Sequence, residues 1–146
     1  MYTGLLHLHH WMPFLWFLLI LVVLVQNFLV WKSDREFTAS LKRQNTITIV
    51  LTHIQVTVGL IMLATAIITG MLPDIGTLMG DTALRFKYVE HPITMFLGAV
   101  LITIGNAKSK RQDAAKNKAK IVVIWFGIGL LLIALRFPWE AFLQGA

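Results

Sequence analysis

Apolar residues along this chain fall in long blocks, and polar residues gather between them. Two runs, Leu5–Trp31 and Thr46–Leu72, are almost unbroken. A third ends at Ala107 and begins between Ala83 and His91, and a fourth runs from Ile121 to about Phe137. A helix needs roughly 20 mostly apolar residues to cross a bilayer. The pattern therefore predicts an all-α membrane protein: one domain over residues 1–146, with four spans at about 5–31, 46–72, 84–107 and 121–138. Short connections favour an up-down-up-down antiparallel bundle. Trp11, Trp31 and Trp139 fall near span ends, as an interfacial aromatic belt requires. The first run lacks a basic leader and a small-residue cleavage site and is too long for a signal peptide, so it is expected to stay as a helix.

Composition agrees with this. The 146 residues are 57% hydrophobic and only 14% charged, against about 25% charged in an ordinary soluble domain. The absence of cysteine excludes disulfides, thiolate metal sites and thiol catalysis. The net charge of +6 would suggest a nucleic-acid partner in a soluble protein. Here the charge lies in short loops, so it reports topology, and the expected partner is the lipid bilayer. Segment Lys32–Asn45 carries Lys32, Arg35, Lys42 and Arg43; segment Asn106–Lys120 carries Lys108, Lys110, Arg111, Lys116, Lys118 and Lys120. The positive-inside rule puts both loops in the cytoplasm. Both termini and the Leu72–Glu90 loop then face outward, which in a bacterial inner membrane is the periplasmic side.

Ionisable and strongly polar side chains are costly at membrane depth, so each is a functional candidate. The candidates are His7, His9, His10, Gln26, His53, Gln55, Glu90 and His91. Depth sorts them. His7, His9 and His10 lie in the first turns of span 1, and His91 lies near the start of span 3, all at the outer face. His53 sits about two turns into span 2 from the opposite side, roughly 15 Å in height from His91 at 1.5 Å per residue. One iron atom cannot readily take both. The pairing that remains is a span 1 histidine with His91, because parallel helices facing across a bundle can clamp a haem iron from either side. Arg85, Lys87 and Arg136 are placed to neutralise haem propionates. Gly59, Gly98, Gly127 and Gly129 can admit a macrocycle or close helix approach. Each residue also has a plainer reading: interfacial histidines at a chain start, a helix-start residue beside Pro92, an interhelical hydrogen bond from His53, and packing at Gln55 and Gly59.

Several short motifs carry a resemblance. His7-Leu8-His9, Thr52-His53-Ile54-Gln55 with Gly59-Leu60, Leu84-Arg85-Phe86, Val89-Glu90-His91-Pro92 and Ile104-Gly105-Asn106-Ala107-Lys108-Ser109-Lys110 resemble small bacterial four-helix membrane proteins of cytochrome-b-like type. The chain is also similar to one half-bundle of haem A synthase. The resemblance covers nearly the whole chain and implies haem b with His9 and His91 as axial ligands. It further implies Gln55 and Gly59 as packing residues beside the site. Relatives carry arginine about four residues after the first-helix histidine, and Pro13 stands there in this chain.

Two functions follow as expectations. The first is a haem b-binding electron carrier, alone, as a homo-oligomer or in a larger respiratory complex, with His9, His10, His91, Gln55, Gly59, Arg85 and Arg136 around the cofactor and His9 and His91 on the metal. The second is a cofactor-free structural or assembly subunit. A copper or proton-handling protein using the outer histidines with Glu90 ranks behind both. The sequence shows no phosphate loop and no nucleophile–base pair at a telling spacing, which favours a carrier or subunit over a stand-alone enzyme.

Overall fold

A computed structural model describes residues 2–144, and the side chains of all of these except residues 2, 141 and 144. The chain forms α1 (Tyr2–Lys32), α2 (Ala39–Ile68), α3 (Ile75–Gly80), α4 (Thr82–Arg85), a π-helical turn (Phe86–Glu90), α5 (His91–Lys110), α6 (Ala115–Leu135) and α7 (Trp139–Gln144), with no strand among the described residues. Four continuous helical stretches are long and apolar enough to cross a membrane: Thr3–Lys32, Ala39–Ile68, Thr82–Lys110 and Ala115–Leu135. The chain is a multi-pass membrane protein on that evidence.

The helices outrun the apolar blocks where the flanking sequence supports helix, and they stop early where it does not. The second begins at Ala39 rather than Thr46, because Thr38 caps it by accepting from the Leu41 N–H and Lys, Arg and Gln are good helix formers. It ends at Ile68 rather than Leu72. There Gly70 takes φ +69°, its N–H donates to the Ile67 carbonyl, and the Met71 N–H donates to the Ala66 carbonyl. That is a Schellman stop, which a glycine makes without a Cβ penalty. The Leu72–Glu90 loop is not loose: Asp74 and Asp81 cap the two short helices α3 and α4.

Each long helix packs on two neighbours: α1 on α2 and α6, and α5 on α2 and α6. The seams differ in chemistry. Between α1 and α2 runs a ladder of polar pairs: Gln55 with His9, Trp16 with Thr52 at 2.6 Å and Asn27 with Asn45 at 3.0 Å. The pair numbers rise on one helix as they fall on the other. Hydrogen bonds of this kind hold helices together where water is absent. Between α5 and α6 the seam is made of small residues. The Gly98 and Gly129 backbones meet, and a Cβ at Gly98 would fall 2.5 Å from Ile133 Cγ1 and 3.2 Å from the Gly129 carbonyl. The apolar core of Trp16, Ile20, Val23, Ile49, Ile102, Val122, Phe126 and Ile133 fills the middle. At the basic end, Lys116 reaches Asp34 at 2.7 Å, and its hydrogen bond and charge hold that carboxyl below the ordinary carboxylate range.

The α5–α6 seam generates a paired prediction. Gly98→Leu forces atoms into occupied space and is expected to cost about 1–3 kcal/mol, read as a lower unfolding midpoint in detergent. Gly127 has nothing within 4 Å of a Cβ, so Gly127→Ala is expected to leave the midpoint unchanged or raise it slightly. Equal losses for the two would contradict the close-packed seam.

Candidate functional site

The polar cluster at the Gly59 end of α2 starts from a proline. Pro13 lies buried inside α1 and has no N–H to give the carbonyl four residues back, which belongs to His9. In a membrane an unpaired carbonyl needs a partner from another helix. Gln55 of α2 supplies it: its Nε2 donates to the His9 carbonyl at 2.8 Å and also lies 3.1 Å from His9 Nδ1. The carbonyl can only accept, which fixes the amide with its nitrogen toward α1. Gln55 Oε1 is then buried with no partner among the described residues. One turn along α2, Gly59 leaves room for the imidazole; a Cβ there would lie 2.9 Å from His9 Cε1. Gln55 and Gly59 thus fix a single place for the His9 ring.

The π-helical turn positions the opposite wall. Pro92 cannot donate to Tyr88, and the His91 N–H instead donates five residues back, to Phe86. The wide turn sets the direction in which His91 leaves the helix. His91 Nδ1 lies 3.0 Å from the Arg136 carbonyl at the end of α6. A carbonyl accepts only, so Nδ1 carries the proton and Nε2 keeps its lone pair. The Arg136 side chain meets Glu90 Oε2 at 3.3 Å, and Arg85 meets Glu90 Oε1 at 3.0 Å while donating to the Met79 carbonyl at 2.7 Å. Glu90 therefore ties the loop, α5 and α6 together, and both arginines expected to face propionates turn their Nε toward it. The Nη groups of Arg136 donate to nothing among the described residues. Lys87 leans over the Tyr88 ring instead of joining the cluster.

These two walls bring the His9 and His91 rings close together. Their ring centroids are 6.3 Å apart and the planes are nearly perpendicular, at 87°. A metal–imidazole nitrogen bond is about 2.0–2.1 Å, and a ring centroid lies roughly 1.1 Å behind its nitrogen. Two imidazoles on opposite sides of one metal then have centroids about 6.2–6.4 Å apart. The centroid spacing of the His9 and His91 rings falls in that range. Among the described residues no three His, Asp or Glu side chains converge, so protein groups alone offer two ligands here.

The remaining candidates go elsewhere. His10 packs among Trp11, Phe14 and Phe142, turned from His91, and His7 is exposed. His53 makes an interhelical bond to Thr103 Oγ1 at 2.9 Å. Gly98 and Gly129 serve the α5–α6 seam and Gly127 lines nothing. Two site features escaped the sequence reading. One is the link from Pro13 to the His9 carbonyl, whose signal is a proline four residues after a histidine. The other is Glu90 as a bridge, signalled by arginines on both sides of it in sequence. No family model, no curated protein and no solved structure matches this chain.

The contact between Gly59 and His9 predicts a non-additive pair of variants. Gly59→Ala pushes a methyl into the imidazole and is expected to cost about 1–3 kcal/mol in unfolding stability. In a His9→Ala background the ring is gone, so the same change is expected to cost close to nothing. Additive losses in the double variant would show that the ring does not rest on Gly59.

Proposed function

We propose that the protein is a haem b-binding membrane cytochrome that passes electrons, with His9 and His91 as axial ligands near the outer face. The observation that carries this reading is the opposed imidazole pair at 6.3 Å. His91 is prepared for the role: its Nδ1–H is spent on the Arg136 carbonyl, the outer hydrogen bond that metal-bound histidines characteristically make. For His9, ligation through Nε2 puts the proton on Nδ1. The Gln55 amide nitrogen, held by the His9 carbonyl, lies 3.1 Å from that atom, so ligation would require the ring to shift away from it. Arg136, with its unengaged Nη groups, is the first candidate for a propionate, and Arg85 the second. Haem held by two imidazoles supplies a one-electron couple and has no open coordination position, which suits transfer rather than ligand chemistry.

Topology belongs to the same reading. The α1–α2 pairs run in opposite senses, which supports the up-down bundle. The ten basic residues in the two loops at the other end support the outward position of both termini and of the site. A bacterial inner membrane, and a place as a homo-oligomer or anchor in a respiratory complex, fit this arrangement. The second reading, a cofactor-free subunit, draws on the Arg85–Glu90–Arg136 bridge, which satisfies those charges without a propionate.

An absorption spectrum of the purified protein in detergent, before and after dithionite, decides between them. A Soret band with a sharp reduced α-band is expected. His9→Ala and His91→Ala are each expected to abolish the low-spin spectrum, and His10→Ala to preserve it. No haem bands, even after added haemin, would remove the cytochrome reading; loss on His10→Ala with retention on His9→Ala would reassign the ligand.

A further inference from the structure

A second polar feature lies on the far side of α2, in the groove that α2 and α5 leave open to lipid. His53 is exposed there, about 10 Å along the helix from Thr46, where the apolar block begins. An ionisable ring facing hydrocarbon is costly and asks for a partner. One is Thr103, at 2.9 Å from His53 Nε2. The Thr103 hydroxyl has a single hydrogen, and it is donated to the Ala99 carbonyl at 2.7 Å. Toward His53 it can only accept, so Nε2 carries the imidazole proton and Nδ1 is left as a bare lone pair. Nδ1 has no partner among the described residues. It therefore calls for a donor, an O–H or N–H, at a depth where lipid offers none.

The groove around it has a definite shape. Next to His53 and Thr103 is a space of about 330 Å³ walled by Val56, Leu60, Phe96 and Val100. It shares Leu60 and Phe96 with a second, mostly apolar stretch of about 280 Å³ that runs on to Tyr88 and Pro92. From Thr103 to Tyr88 the lane extends about 22 Å at 1.5 Å per residue. A polar end for one ring hydroxyl and a long apolar lane describe one class of molecule. The geometry points to a binding site for a lipid-soluble hydroquinone with an isoprenoid-like tail, whose hydroxyl donates to His53 Nδ1. A phospholipid does not meet the requirement, since its polar groups stay at the interface. A second copy of the chain, whose own α2–α5 face carries the exposed Thr57, is the competing occupant, and the protein-to-lipid ratio separates it from a quinol in the test below.

The test is imidazole nitrogen NMR on ¹⁵N-histidine protein in phosphatidylcholine nanodiscs, titrated with decylbenzoquinol. The chain has five histidines, and His53→Asn assigns the relevant signal by its loss. The His53 Nδ1 resonance is expected to move saturably with the quinol and to stay in place with its dimethyl ether, which has no O–H. Thr103→Val, which frees the Nε2 proton, is expected to weaken the quinol about three- to tenfold. The same shift is expected in His9→Ala, which has no axial pair, so this test stands or falls apart from the cytochrome reading. A non-saturating shift, or an equal one from the dimethyl ether, overturns the proposal. So does a His53 shift that tracks protein-to-lipid ratio without quinol, which would make a second copy the occupant.

Discussion

The Gln55 side chain, bonded to the carbonyl that Pro13 strands on His9, is the contact on which this end of the bundle depends. In water a carbonyl freed by a proline finds a solvent molecule. Inside a bilayer it must find a side chain, and the donor has to come from another helix. One amide therefore does two things at once: it repairs the backbone of α1 and it fixes the rotation of α1 against α2. The His9 ring follows from that rotation, because the same nitrogen meets Nδ1 and the adjacent Gly59 leaves a space of the ring's size. Across the bundle, the Arg136 backbone does for His91 what Gln55 does for His9. Two helices that do not lie side by side are thus aligned through their neighbours.

The two seams that hold these neighbours show why a small membrane protein can afford polar residues in its core. Asn27, Asn45, Thr48 and Thr52 are all buried. Each is satisfied at least in part by an adjacent helix or its own carbonyls, and together they set the register of α1 on α2. The α5–α6 seam needs no such specification, since glycine backbones in contact define their own register by shape. Helix pairs with polar ladders resist sliding, and pairs with glycine seams resist separation.

Much of this was legible in the sequence. Four apolar blocks became four long helices, and the placing of His9 and His91 toward one end of the bundle, away from His53, follows from counting residues along them. What the sequence could not show was direction around each helix. His9 and His10 are adjacent, and the bond from Gln55 to the His9 carbonyl goes with one ring against Gly59 and the other in the aromatic cluster with Phe142. Arg85 and Arg136 read as free cations because Glu90 was weighed alone; the loop brings the first within reach and the end of α6 the second. The π-helical turn was equally hidden: a start between Ala83 and His91 lies close to the observed Thr82, but nothing in the pattern signals the wide turn at Phe86–Glu90 inside the helix.

That turn has a consequence for how this protein tolerates change in length. A π turn accommodates one residue more than the α-helix around it, and each residue of an α-helix rotates the chain by about 100°. Deleting one residue from Phe86–Glu90 would bring α4 and α5 into one α-helical register, kinked where Pro92 has no N–H for the carbonyl four residues back. Everything on the loop side, Arg85 included, would swing to a different face while His91 kept its place. The segment is therefore a joint at which loss of a single residue re-registers the α3–α4 cap against the bundle and parts Arg85 from Glu90.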